Sequence, residues 1–515
     1  MVGKEKEREK EKNMFVRILF NCAAEHKFLL PAVLFLCSLV TIFQFLPSRF
    51  SISSFSDLPS CISATATTAS EVVNKSAPPV AADVVIPLPL ASLPTIPPPP
   101  SLQNDQVLEG GIIKRAFNAY GSASYNFILM SSYRGGLNTF AIIGLAAKPL
   151  HVFGRPIYQC QWLSNSNKTQ QPITSVGQKI LPDWGFGRVY TVVVVNCTFP
   201  IPINEDNSGG KLLLQDFTNG GFDRNFNLTD KIEALVEQPG SVNFSSFLSQ
   251  PEYDYLHCGS PLYGNLSPQR MREWLAYHVR LFGGKSHFVI YDAGGIHSEV
   301  MEVLRPWMEK GFVTLQIITE QERFDGYYHN QFLIVNDCLH RYRFIAKWMF
   351  FFDVDEFIFV PDKSTIKSVL DSLSEYTELF MEQTPMSNKL CLAEDAGETS
   401  SKWGFEKLVY KDVKRVRKRN RKYAIQPRSV FATGVHLSQN MVGKKKYMPT
   451  EQVKYFHYHG TIAERREPCQ QLVNTTDIIV EQIPYVRDTT MRNVAGAVKR
   501  FELKMIGSRL QRTRQ

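Results

Sequence analysis

The spacing of apolar residues divides the chain into stretches of different rhythm. Phe28 to Leu46 (FLLPAVLFLCSLVTIFQFL) runs nineteen residues without a charge. At about 1.5 Å per residue this is roughly 28 Å of helix, enough to cross a hydrocarbon core, so a single transmembrane helix is predicted over 28–46. It exceeds the roughly 7–15-residue apolar region of a cleaved signal peptide. Between 106 and 245 the pattern shortens to YNFILMSSY, TFAIIGLAA, PIYQCQWL, RVYTVVVVNCTF and KLLLQDF, separated by clusters of Gly, Pro, Asn and Asp. Short apolar or alternating runs of this kind predict a β-sandwich-like module. From Pro251 strand and helix alternate. EYDYLHCGS reads as a strand, SPQRMREWLAYHVRLFG as a helix with Ser267 at the N-cap and Pro268 at its first position, and HFVIYDAGG as a strand. HSEVMEVLRPWMEKG then reads as a helix and VTLQIIT as a strand. That order predicts an α/β, Rossmann-like unit over 246–480 with a parallel sheet, whose ligands bind at the carboxyl ends of the strands. Cys258, Gly259 and Ser260 close the first strand, and Tyr291 and Asp292 the second. Residues 481–515 are read as a C-terminal extension.

Composition places the chain in a compartment. Seven Lys/Arg precede the apolar run, against Arg49 alone just after it, so the positive-inside rule puts the tail 1–27 in the cytosol and the body in a lumen. Residues 47–105 are rich in Ser, Thr, Ala and Pro and end in PLPLASLPTIPPPP, a stem that cannot bury a core. Sequons at Asn74, Asn167, Asn196, Asn227, Asn243, Asn265 and Asn474 all follow the anchor. Of nine cysteines, seven follow it, an odd number that allows a covalent homodimer; Cys160 with Cys197 is the expected intradomain pair. Tail, anchor, stem and lumenal body together form the layout of a single-pass type II Golgi membrane protein.

The 515 residues carry 58 Lys+Arg against 49 Asp+Glu, a net charge of +9. Eleven basic residues and two acids between 402 and 428 account for all of it, so this is a basic patch on a neutral protein. Behind a membrane anchor a KRVRKRNRK run cannot meet nucleic acid. Arg417, Lys418 and Arg419 are instead read as attracting an anionic ligand, a nucleotide diphosphate or an acidic polysaccharide, against the plainer reading of a solvated loop. Trp162, Trp184 and Phe186 could form a carbohydrate platform, though core packing explains any one of these rings more simply.

The site-bearing motif follows the apolar strand WMFFF. Asp353-Val354-Asp355-Glu356-Phe357 places carboxylates at the end of a strand that reads as fully buried, where charges must be paired, solvated or metal-bound. Asp353 and Asp355 can converge on one hard cation, Mn²⁺ or another divalent ion, that would grip the phosphates of a nucleotide sugar. Downstream, HYHG supplies His457 and His459; residues alternating on a strand face opposite ways, so one of them, with His457 favoured, is expected to reach the metal. His436 is a further option.

The segments RYRFIAKWMFFFDVDEFIF, YDAGGIHSEVM, KWGFEKLVY, FATGVH and YFHYHGTI, across roughly half of the chain, resemble glycosyltransferase family 92, and within it the plant β-1,4-galactan synthases. The resemblance implies a GT-A fold preceded by a carbohydrate-binding module. It also implies UDP-galactose as donor, β-1,4-galactan on pectin (rhamnogalacturonan I) as product and Mn²⁺ as cofactor. Asp353 and Asp355 match the family's DxD, and a C-terminal His supplies a third metal ligand. Cys258–Ser260, Tyr291, Asp292 and Asp353 fall where such enzymes hold the donor. An α-linked donor and a β-linked product mean inversion, which needs a base near the acceptor hydroxyl. Asp395 and Glu406 are the candidates, with Glu394 behind them. A related transferase with another donor such as UDP-arabinopyranose, or an inactive polysaccharide-binding scaffold, is the alternative.

Overall fold

The computed structural model describes residues 102–513 apart from 122–124, 149–155, 167–170, 218–230, 321–323, 325–327, 362, 399–400, 414–420 and 464. The expected tail and anchor, most of the stem, and the Arg417–Arg419 patch lie outside the described residues. Among the described residues no helix is long and apolar enough to cross a membrane.

The alternating rhythm after Pro251 builds a parallel sheet. Val313–Ile317, Ser286–Asp292, Tyr253–Leu262 and Ala346–Phe351 lie side by side in that order, the third, second, first and fourth strands of the unit. This doubly wound order reverses between Tyr253–Leu262 and Ala346–Phe351, and the reversal opens a crevice at their carboxyl ends. Beyond Ala346–Phe351 the sheet becomes mixed: Arg421–Ile425 and then Tyr376–Pro385 pair antiparallel, Lys454–His457 lies parallel to Tyr376–Pro385, and Glu356–Phe359 closes the edge antiparallel to Lys454–His457. The helix Pro268–Phe282 starts as its sequence predicts, with the Ser267 hydroxyl accepting from the Arg270 N–H and Pro268 in the first turn. Almost all of this helix is buried, because Ser298–Glu309 and the C-terminal helix Thr490–Ile506 pack over it. The buried pair Arg272–Glu502, with N···O distances of 2.8 and 2.6 Å, fastens that last helix down. Within the segment read as a C-terminal extension, the helix Thr490–Ile506 is thus part of the packed core.

The amino-terminal runs form one eight-stranded antiparallel sheet. Its order is Lys231–Glu237, Gly210–Phe217, Ile157–Ser164, Ile173–Ile180, Tyr190–Thr198, Thr139–Ala147, Phe127–Arg134 and Asn118–Tyr120. Two separate sheets were expected. The difference lies in Ile157–Ser164, which pairs with Gly210–Phe217 on one side and with Ile173–Ile180 on the other, making the ladder continuous. The sheet curls so that Lys231–Glu237 also packs on Phe127–Arg134. Its concave side encloses Phe140, Trp162, Val193, Val195 and the expected Cys160–Cys197 disulfide. Trp162 is therefore a core ring, stacked on Phe140 at 5.7 Å. The opposite side (Ile128, Met130, Ile143, Val192, Val194) packs with Leu333, Val335 and Leu339 of the helix Gln331–Arg341. Burial on both faces explains why FILM and VVVV are unbroken apolar runs.

Candidate active site

The strand Ala346–Phe351 is apolar because sheet neighbours and helices enclose it, and the chain must turn where it leaves the sheet. It does so in Asp353–Glu356, closed by the Glu356 N–H to the Asp353 carbonyl at 3.1 Å. Trp274 Nε1–H, from the helix Pro268–Phe282, donates to the carbonyls of Asp353 (3.2 Å) and Glu356 (3.0 Å) and holds the turn. The Glu356 side chain accepts from the Asp353 N–H at 2.7 Å. On leaving the turn, Glu356–Phe359 runs antiparallel to Lys454–His457 with Glu356 opposite His457, which sets a histidine beside the carboxylates.

His457 Nε2 lies 3.5 Å from Asp355 Oδ1, and Gln383 Nε2 at 2.6 Å from Nδ1 fixes the ring. His459 joins them: one ligand atom each from Asp355, His457 and His459 lies within 4.8 Å of the others. Opposite facing was expected, but the strand ends at His457. The Tyr458 N–H then donates to the Asp355 carbonyl (3.0 Å) and the Gly460 N–H to its carboxylate (2.8 Å), so the chain turns back and both rings reach the same carboxylate. One carboxylate oxygen and two imidazole nitrogens make a donor set that a divalent first-row metal ion can take, with positions left open for a ligand. His436 stands apart from this trio; its Nδ1–H donates to the Arg421 carbonyl at 3.0 Å.

Asp353 faces different partners. Lys422 Nζ, on the strand Arg421–Ile425, is 2.7 Å from Asp353 Oδ2 and 3.4 Å from Glu356 Oε2. Gln331 Nε2–H donates to Asp353 Oδ1 at 3.0 Å, and the Ser260 hydroxyl reaches the same carboxylate. Burial pushes the Asp353 carboxyl up, but Lys422 outweighs it and holds the group at about 2. For Glu356 burial wins, raising it to about 7 against the pull of Lys422. His457 is also buried, which lowers its pKa, yet the bond to Asp355 and the nearby Glu356 carry it above its ordinary value.

The predicted donor residues separate into two groups. The ladder between Tyr253–Leu262 and Ser286–Asp292 is irregular from Cys258 to Pro261, and pairing with Ala346–Phe351 stops at His257–Phe350. The strands part there, and Ser260 meets Asp353. Gly259 sits at the same break, where a Cβ would come within 2.3 Å of the His257 ring. Asp292 shapes its own strand end, its Oδ1 accepting from the N–H groups of Gly294, Gly295 and Ile296. Cys258 and Tyr291 do not reach this edge. The Cys258 sulfur is bonded to Cys338, and the buried Tyr291 hydroxyl donates to Asp337 at 2.8 Å. Both face the helix Gln331–Arg341, which carries Cys338 and Asp337, and it is the irregularity after Cys258 that lets Ser260 turn to the other side.

The acids read as bases hold structural partners. Asp395 is fully buried, paired with Lys402 and with both terminal nitrogens of Arg492 at 2.7 and 2.9 Å. Glu406 accepts from the Trp403 N–H at 3.0 Å and pairs with Lys499. Glu394 is mostly exposed, 3.8 Å from Arg487 and Arg492. Trp184 and Phe186 are exposed and meet edge to face at 6.2 Å, with Trp184 Nε1–H donating to Gln439. Sequence reasoning missed Lys422, Gln331 and Gln383. Lys422 was hidden among eleven basic residues; its one signal was the apolar YAI that follows, which marks a buried strand.

Residues 253–495 match the profile of glycosyltransferase family 92. Over the full length of both chains, the protein is 54% identical to the galactan β-1,4-galactosyltransferase GALS3 of Arabidopsis thaliana. It is 55% identical to GALS2 of the same plant, across 98% of each chain. GALS1, also from Arabidopsis thaliana and named for the same activity, is 49% identical over 77% of this chain and 79% of its own. A solved structure, the apo form of the bifunctional glycosyltransferase WbbM, aligns with 30% of this chain and 26% of its own at 8% identity and a TM-score of 0.19, too slight a likeness to bear on the fold. With these full-length relatives and with the carboxylates and histidines gathered at the switch point of its sheet, the chain belongs to glycosyltransferase family 92 and is an enzyme of that family.

Proposed function

We propose that this enzyme is an inverting, metal-dependent galactosyltransferase that uses UDP-galactose to lengthen β-1,4-galactan side chains of pectin. In this reading it works in the Golgi lumen from a single type II anchor at 28–46. The observation that carries the reading is the full-length identity to galactan β-1,4-galactosyltransferases, which spans the amino-terminal sheet as well as the catalytic unit. Asp355, His457 and His459 would hold Mn²⁺, which when bound offsets the charge of a diphosphate leaving group. The chain's own residues prepare the place. Lys422 cancels the charge of Asp353, so the crevice is not closed to an anionic donor by carboxylate repulsion. Ser260 and Gln331 hold the Asp353 carboxylate from both sides of the strand reversal. Gln383 and the Tyr458–Gly460 turn keep His457 and Asp355 aligned before any ligand arrives. In this proposal Asp395 and Glu406 are secondary as bases, since each is engaged with the C-terminal helix.

The test is to incubate the full-length protein in detergent with Mn²⁺, labelled galacto-oligosaccharide and a panel of UDP-sugars. Elongation with UDP-galactose is expected. Folded protein that extends none of several galactan acceptors, or that prefers UDP-arabinopyranose, would count against the reading.

A further inference from the structure

The strand Tyr253–Leu262 runs straight into Tyr263, whose ring is 48% exposed at the carboxyl edge of the sheet. Its face is stacked on the His329 imidazole, with centroids 3.7 Å apart and planes 21° from parallel. His329 is the middle of three successive left-handed residues: Tyr328 (φ 50°), His329 (φ 52°) and Asn330 (φ 61°). A side chain with a Cβ disfavours that region, and strain of this kind gathers where a binding site needs a fixed shape. The segment is tied to the candidate active site, because the next residue, Gln331, donates to Asp353. Within it Asn330 is 1% exposed, yet neither its side-chain oxygen nor its nitrogen has a partner. A buried carboxamide with no bonds is costly, and such groups ask for an explanation.

We propose that Tyr263 and Asn330 form the nucleobase subsite of the donor, resting on the reading above that the donor is a uridine diphosphate sugar. The uracil ring takes the position of the His329 imidazole on the Tyr263 face. Base stacking on an aromatic side chain has this near-parallel geometry. Asn330 then meets the edge of the base. Uracil presents N3–H beside O4, and a carboxamide offers an acceptor oxygen beside a donor N–H, so the two make a matched pair of hydrogen bonds. His329 is a placeholder that leaves as the base enters, and its departure frees the Tyr263 face one residue away from the unpaired Asn330 amide. The diphosphate extends from there toward Lys422 and the Asp355 trio.

The test is equilibrium binding of UDP and of inorganic pyrophosphate to the full-length protein with Mn²⁺ present. Tyr263→Ala and Asn330→Gly, the latter keeping the left-handed backbone available, should each weaken UDP binding by about tenfold or more. Pyrophosphate, which has no base, should bind all variants alike. Tyr263→Phe should stay close to wild type, and His329→Gly should bind UDP at least as tightly. UDP affinity unchanged in both Tyr263→Ala and Asn330→Gly would overturn this assignment alone, as would UDP and pyrophosphate binding falling together. Wild-type protein that binds pyrophosphate but gains nothing from the uridine would overturn the donor reading along with it.

Discussion

Lys422 makes the carboxylates of the DVDE turn tolerable. Its ammonium is 3% exposed and sits between Asp353 and Glu356, so removing it strands two acids in a poorly solvated crevice. Lys422→Met should cost of order 3 kcal/mol of stability, the usual penalty for breaking one side of a buried pair. A fall in Tm together with a fall in kcat/KM measured at saturating Mn²⁺ is the expected result; unchanged thermal unfolding would contradict the placement. Asp395→Asn should separate the two effects. It loosens Lys402 and Arg492, lowering Tm, and any remaining folded enzyme should keep most of its kcat. At this scale Asp353 and Asp355 were legible because acids directly after WMFFF demand compensation. Lys422 was not, because charge counting cannot tell an inward residue of a strand from its outward neighbour Arg421. His459 was hidden by a turn that only the Asp355 hydrogen bonds reveal.

The helix Gln331–Arg341 links the elements that matter. Its first residue bonds Asp353, Cys338 is bonded to Cys258 of the first strand, and Asp337 gathers Arg115, Ser131, Tyr133 and Tyr291. Burial opposes the Asp337 charge, but Arg115 and Arg341 outweigh it and hold the carboxyl far below its ordinary range. Asp337→Ala leaves the Arg115 guanidinium buried with Asp105 as its remaining ion pair, at an expected cost of about 3–5 kcal/mol read from denaturant midpoints. A group of buried histidines gives the elements a pH dependence. Burial pushes His257 down to about 4 and His340 to about 3, with His278 also well below its usual value. Each stays neutral in the fold while the unfolded chain takes up a proton below about 6.5. At these three histidines the unfolded state therefore binds more protons between pH 6.5 and 4. The raised Glu356 and His457 work the other way, and with three strongly depressed groups against them Tm should fall across that window as the medium is acidified. A flat Tm from pH 7 to 4 would contradict the neutral assignments. The helices were readable from their caps and period. The strands Ile173–Ile180 and Lys231–Glu237 were not, since ITSVGQKI and KIEALVE alternate weakly and bury few side chains.

At the scale of the molecule the amino-terminal sheet and the catalytic sheet share an apolar core, and the described residues form a single unit. The reading of separate bodies near residues 245 and 246 came from the change of rhythm, which marks topology but not who packs on whom. A chain cut to 251–515 would expose Leu333, Val335 and Leu339 and strip Asp337 of Arg115, so it should aggregate rather than fold. The proposal for Arg417, Lys418 and Arg419 belongs to this scale too. Reversing their charge should raise the KM for a pectin-linked acceptor and flatten its salt dependence, while a neutral galacto-oligosaccharide is affected far less.

In the proposed function Asp355, with His457 and His459, holds a divalent cation needed for galactose transfer. This role is tested most directly by following oligosaccharide elongation from UDP-galactose by wild-type enzyme and Asp355→Asn at matched folded concentration, after chelation and after Mn²⁺ is returned. Wild-type elongation is expected to stop on chelation and recover with Mn²⁺, and Asp355→Asn to lose about a hundredfold or more that added Mn²⁺ does not restore. Elongation by Asp355→Asn at the wild-type rate, or by wild type undiminished in chelator, would contradict that role.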